Sequence, residues 1–226
     1  MGVVALVALA VLPSCGIPRD PEGTLERVSG GTMRVGVTEH DPWVTFEDGR
    51  ATGVEVELVE GFAAGLDARV RWIEGSESEL MSALEFRELD VVIGGLTSTA
   101  PWATEVALTH PYYTSQVRVG TPAPGVTDIT GMRVAVERGS EAAGVLAKTD
   151  AVPVEVADVS AADGAAAVDN WLLDDLGLHD TGVRLIESDH VMALPPGENA
   201  WLVALERFLL DNEARAVDLV EAHGEL

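Results

Sequence analysis

The sequence predicts an α/β protein of two lobes, each a doubly wound, mainly parallel sheet. Three observations carry that expectation. Apolar strand-like runs alternate with helical stripes in β-α-β-α-β order, and the order occurs twice. The pattern resets after Tyr113, and a link rich in proline and glycine, residues 121–125, follows the first strand of the new series. A chain of 226 residues that is 47% hydrophobic has enough apolar material for two small lobes.

Taken in order, residues 25–29 read as a short helix capped by Thr24 and 33–37 (MRVGV) as the first core strand. The loop His40-Asp41-Pro42-Trp43-Val44 and a turn at 47–50 follow. Residues 54–66 place Val56, Leu58, Val59, Phe62, Ala63 and Leu66 on one helical stripe. Residues 70–73 form a short strand, 78–87 a helix with Ser78 as its N-cap, and 91–93 a buried strand that stops on Gly94-Gly95. The second series has strands at 116–120 and 132–137, then Arg138-Gly139-Ser140 leading into a helix at 141–148. A strand at 152–156, a short helix at 160–167 and a strand at 168–173 ending on Asp174-Asp175 complete it. A strand at 190–194 and helices at 199–210 and 212–222 close the chain. The expected organisation is a first lobe at 24–115, a second at 116–188 and a C-terminal segment, 189–226, that returns to the first.

Charge narrows the partners. Thirty-eight acidic residues oppose 14 basic ones, for a formal net charge of −24. Such a surface repels phosphate backbones, so nucleic acid is not an expected partner. The single cysteine, Cys15, excludes an internal disulfide. It follows an uncharged apolar run, residues 2–12, that is too short to span a bilayer. The run ending Leu12-Pro13-Ser14-Cys15 is similar to a bacterial lipoprotein signal: residues 1–14 would be removed and Cys15 lipidated. Residues 15–23, rich in proline and charge, would then be a tether.

In open α/β sheets, ligands sit outside the carboxyl ends of the strands. Gly95, Leu96 and Thr97 follow such an end and offer two amides and a hydroxyl. Trp43, Trp102 and Asp174 are expected to project toward the same cleft. Two indole faces and a carboxylate suit a cationic or amine-bearing ligand; equally, the tryptophans could pack on neighbouring loops and Asp174 could be a solvated acid. Gly139 and Ser140, at a helix start, offer amides to an anionic group. Arg138 stands beside them. Tyr112 and Tyr113 fall where the chain crosses between lobes.

These residues resemble the bacterial solute-binding proteins that feed ABC importers, the polar amino-acid branch with the two-lobed periplasmic-binding-protein-like fold. The resemblance rests on Arg34-Val35-Gly36-Val37 with Pro42-Trp43, and on Gly53-Val54-Glu55-Val56-Glu57-Leu58. It rests also on Leu89-Asp90-Val91-Val92-Ile93 with Gly95-Leu96-Thr97-Ser98-Thr99, and on Pro111-Tyr112-Tyr113. In the second lobe it rests on Val134-Ala135-Val136 with Gly139-Ser140, and on Val168-Asp169 with Asp174. It implies an exported protein that closes two lobes on a small solute by hinge motion, with an ABC permease as partner. It implies that Asp174 meets an amino group. The family's amino-acid binders carry an arginine three residues past the second threonine; Trp102 stands there and cannot form a forked pair with a carboxylate.

No G-x-S-x-G elbow, P-loop or dinucleotide fingerprint is present, and the five histidines have no metal-ligand spacing. The expectation is a monomeric, lipid-anchored binding protein outside the cell membrane or in the periplasm, with no catalysis, cofactor or metal. The alternatives are a sensing lipoprotein that partners another membrane protein, or a periplasmic cyclic-acid dehydratase-like enzyme.

Overall fold

A computed structural model of the chain describes residues 19–47 and 50–224. The apolar leader, Cys15 and the first part of the expected tether lie outside the described residues. In chain order the first elements are α1 (Thr24–Val28), β1 (Thr32–Val37), β2 (Thr45–Glu47), β3 (Arg50–Thr52), α2 (Val54–Gly65), β4 (Arg69–Glu74), α3 (Glu77–Glu85), β5 (Val91–Ile93) and β6 (Ala107–Leu108). There follow β7 (Tyr113–Thr121), β8 (Arg133–Glu137), α4 (Glu141–Leu146), β9 (Val152–Val156), β10 (Ala165–Asp169), α5 (Leu172–Asp175), β11 (His179–His190), β12 (Ala193–Leu194), α6 (Asn199–Asp211) and α7 (Glu213–His223).

Two five-stranded sheets result, in the orders β4-β1-β5-β12-β6 and β11-β7-β10-β8-β9. Each is covered on both faces, and single strands show it. In β5, Val91 and Ile93 join one core cluster while Val92 joins another with Leu80, Met81 and Leu84. In β8, Val134 and Val136 face one cluster and Ala135 the other. This two-residue period is what a doubly covered sheet requires.

The sheets are mixed rather than mainly parallel. β1 runs parallel to β4 and β5, and β8 parallel to β9 and β10. β12 runs antiparallel to β5 and β6, and β7 antiparallel to β10 and β11. Parallel neighbours need a crossover. The antiparallel ones are the strands by which the chain enters the second sheet and comes back. β12 carries the returning chain into the first sheet, so the two-lobed α/β expectation holds.

Four local readings change. Ser76, not Ser78, starts α3, because Glu79 accepts from the Ser76 amide (3.2 Å) and hydroxyl (2.5 Å) in an S-x-x-E box. The alanine-rich stretch expected as a helix at 160–167 enters β10, where pairing with β7 and β8 overrides its helix preference. The strand expected at 168–173 ends at Asp169, and its apolar continuation forms the turn of α5 with Leu173 buried. β11, twelve residues long, went unread; it is an edge strand with one solvated side and two register irregularities, so no clean alternation marks it.

Asp90 ties the first lobe together. Its buried carboxylate takes Arg34 and Arg27 as partners, with Arg34 Nη2 at 2.6 Å, and the Trp201 indole donates to its carbonyl at 2.8 Å. Burial alone would raise this carboxyl; the hydrogen bonds from the two arginines outweigh it and hold it below the usual aspartate value. Among the described residues, no helix is long and apolar enough to cross a membrane.

Candidate functional site

The site grows from the end of β5. Gly94 and Gly95 turn the chain there, and Gly95 has a φ of +68°. A Cβ on Gly95 would lie 2.4 Å from Trp43 Cδ1 and 2.6 Å from His40 Nδ1, so the glycine lets the 40–44 loop seat against the strand end. That loop is fused to the start of α2: the Val54 and Glu55 amides donate to the carbonyls of Pro42 (3.1 Å) and Trp43 (3.0 Å). Helix-start donors that would otherwise lack partners thereby fix Trp43. Gly95→Ala is expected to cost about 2–4 kcal/mol, combining a left-handed φ with a clash against two rings, and to perturb tryptophan emission. Urea denaturation followed by fluorescence checks it.

Beneath the turn lies Glu55, with no exposed surface. One carboxylate oxygen accepts from the amides of Gly94 (2.7 Å) and Gly95 (2.9 Å); the other accepts from the Tyr112 hydroxyl (2.8 Å). Burial raises its pKa, and these three donors pull it partly back. Burial beside this carboxylate also pushes the Tyr112 phenol well above its usual value. One buried acid thus joins the first-lobe turn to the lobe crossing.

The opposite wall comes from the ends of β7, β10 and β11. Residues of both lobes enclose a cleft of about 210 Å³ whose wall includes Trp43, Gly95, Thr97, Asp169, Trp171 and His190. The His190 ring lies against Trp43 with centroids 3.8 Å apart, and Trp171 meets Trp43 edge-on at 6.1 Å. His190 Nε2 bonds Ser115 Oγ at 2.8 Å, while its Nδ1 is buried without a hydrogen-bond partner of good geometry. Burial, reinforced by His40, lowers this imidazole to about 4; the Gly95 backbone and Asp189 offset that only in part. Asp169 is the buried acid of the cleft: among the described residues its side chain makes no hydrogen bond or ion pair, and burial pushes its pKa up to about 6 against the attraction of His40.

The expected site residues divide. Trp43, Gly95 and Thr97 line this cleft. Leu96 supplies only backbone: its carbonyl accepts from Val191 (2.9 Å) and its side chain is buried among Leu80, Leu84 and Val106. Ser140 lines an adjoining recess of about 90 Å³ that shares Asp169 with the cleft. Its hydroxyl is already engaged, accepting from the Ala143 amide (3.2 Å) and donating to the Glu137 carbonyl (2.8 Å), and Gly139 supplies the exposed turn before it.

Two expectations are corrected. Trp102 does not line the cleft; it packs on the cluster under α3 and its indole donates to Glu77, because that site offers both an apolar bed and an acceptor. Asp174 sits exposed on α5 and lines a separate cavity with Asp175 and Glu221, because the strand stops at Asp169. The Asn170 side chain accepting from the Gln116 amide (2.9 Å) marks the stop. Trp102→Ala is therefore expected to lower stability by about 2–4 kcal/mol while leaving ligand affinity unchanged; calorimetric titration beside a melting curve checks both halves. Glu55, Asp169, Trp171 and His190 were missed as site residues. The missed signal for Asp169 was the acid at the end of the alanine-valine run. Among the described residues, no cluster of three or more histidine, cysteine or acidic groups could hold a metal ion.

A cleft between two α/β lobes, walled by strand ends and crossing strands, defines the two-lobed periplasmic-binding fold. The chain belongs to the bacterial extracellular solute-binding proteins, family 3, whose model it matches over residues 33–215. It is 27% identical over 154 residues to the probable amino-acid-binding protein YxeM of Bacillus subtilis (strain 168), covering 66% of this chain and 57% of that protein. The chain spans about half the length of the curated relatives it matches. In fold it is similar to the L-cystine solute receptor of Neisseria gonorrhoeae in its unliganded open conformation (TM-score 0.72, 20% identity, 88% of this chain and 96% of the other). It is also similar in fold to an ancestral cationic amino acid solute binding protein, AncCDT-1 (TM-score 0.67, 19% identity, 88% and 98%).

Proposed function

We propose that this chain is an exported solute-binding protein that captures a small polar, amine-bearing solute between its lobes and delivers it to an ABC importer, without chemistry. The observation that carries the reading is Asp169, a carboxylate that has no ion-pair partner among the described residues and lines an aromatic-walled cleft. An ammonium placed there gains a charge-assisted hydrogen bond and the faces of Trp171 and Trp43. Thr97, Ser115 and Ser188 supply hydroxyls for the rest of a polar solute. Family membership supports capture of a solute outside the cell, and the curated relative named as an amino-acid binder supports an amine-bearing one. Cys15 is the proposed lipid attachment, which would hold the protein at the outer face of the membrane beside its permease, and a monomer is the proposed state.

A thermal-shift screen over amino acids, amines, betaines and organic acids tests the capture. A true ligand raises the midpoint in step with concentration over its Kd, and Asp169→Asn should erase the rise. A ligand whose shift survives that change would place the site elsewhere. For the anchor, Cys15→Ala should move the protein from the membrane fraction to the soluble one; unchanged sedimentation would refute lipidation.

A further inference from the structure

The charge of the cleft is one-sided. Among the described residues its carboxylates are Asp41 and Asp169, its other titratable groups are His40 and His190, and neither arginine nor lysine lines it. His190 is held neutral by burial and offers no compensating charge near pH 7. The amides best placed to receive an anion, those of Gly94 and Gly95, are spent on a single oxygen of Glu55. That acid also brings a buried carboxylate up against the turn from the core side. Trp102, where the resemblance would put a carboxylate-binding arginine, is turned onto α3. The Ser140 hydroxyl, the remaining candidate for an anionic group, is engaged on both sides. A carboxylate entering this space would lose its water and meet Asp41 and Asp169, with His40 already engaged electrostatically by Asp169 and no arginine or lysine among the described lining residues to pair with it. An organic cation would meet Asp169, two indoles and the hydroxyls of Thr97 and Ser115.

We infer that the cleft selects an organic cation that carries no carboxylate, an amine, guanidinium or quaternary ammonium, over the corresponding amino acid. The inference rests on the solute-capture reading and sharpens it: specificity is built by what the cleft leaves out as much as by what it offers.

Matched pairs isolate the carboxylate. Calorimetric titration of the full chain at pH 7.5 would compare agmatine with arginine, cadaverine with lysine, histamine with histidine, and choline with glycine betaine. At least one cation is expected to bind about 100-fold more tightly than its carboxylated partner, since an uncompensated charge in a desolvated site is a multi-decade penalty. Asp169→Asn should remove most of that affinity, whereas Trp102→Ala, at a residue outside the cleft, should not. If an amino acid binds as well as its amine and Asp169→Asn still weakens it, the cation inference falls while solute capture stands. If no member of either series binds at millimolar concentration, but an organic acid does, the inference falls in the same way. Silence across all of them and across a full amino-acid mixture overturns both.

Discussion

Asp169→Asn is expected to raise the unfolding midpoint of the empty protein at neutral pH, by about 3–8 °C, while abolishing ligand binding. The carboxyl has a folded pKa of about 6, against a reference value of 3.8, and burial is the leading cause. A raised acid binds its proton more tightly folded than unfolded, so stability falls as pH rises through that window and is recovered as pH falls toward 4. Two units correspond to about 3 kcal/mol at most, and partial exposure trims this. For a chain of this size, each kcal/mol moves the midpoint by about 2–4 °C. The advantage of the asparagine variant should therefore be largest above pH 6 and shrink toward zero near pH 4. Scanning calorimetry at pH 4, 5.5 and 7.5 reads it; a variant no more stable than the parent at pH 7.5 would mean that the carboxylate is not an uncompensated charge. Ligand affinity should run the other way. A cation needs Asp169 ionised, so affinity should weaken by up to about tenfold per pH unit below 6. His40 and Glu137 are the other charged groups that act on this acid, His40 from the first lobe and Glu137 from the second.

Glu55→Ala should be the most damaging single change near the site, costing about 3–5 kcal/mol. It would strip the Gly94 and Gly95 amides and the Tyr112 hydroxyl of their shared acceptor at a position closed to solvent. Glu55→Gln keeps an oxygen for the two amides and a partner for the phenol, so about half the loss is expected. Tyr112→Phe, which removes only the hydroxyl, should cost about 1 kcal/mol. Chemical denaturation of the three variants gives the ranking. An alanine variant within 1 kcal/mol of the parent would show that the turn does not depend on this carboxylate.

The parts legible in the sequence are those where burial is periodic. Val91-Val92-Ile93 announces a strand covered on both sides, and the glycines after it announce a strand end at which a ligand can sit. The stripe through Val56, Val59, Phe62 and Ala63 announces α2 in the same way, and all four are buried. Asp169 was hard to read because Trp171-Leu172-Leu173 prolongs the apolar pattern past the true strand end; the Asn170 side chain, which takes the Gln116 amide in place of a backbone carbonyl, is what ends it (2.9 Å). Glu55 could not be found by pattern either. An acid in a helix's first turn is ordinarily a solvated dipole partner, and only the tertiary approach of Gly94 and Gly95 gives it another task. Trp102 was misplaced for a related reason: its position beside the cleft-forming turn is local, whereas its acceptor, Glu77, lies 25 residues away.

Trp43 belongs to the first lobe and Trp171 to the second, and their rings stand nearly perpendicular at 6.1 Å. This pair is an optical ruler built into the molecule. Swinging the lobes apart would separate the two indoles by several ångströms and uncouple their electronic transitions, so circular dichroism and emission should distinguish shut from open protein without any attached dye. Lobe motion could then be followed on the native chain, with Trp171→Phe, which removes one ring of the pair, showing that the signal comes from it.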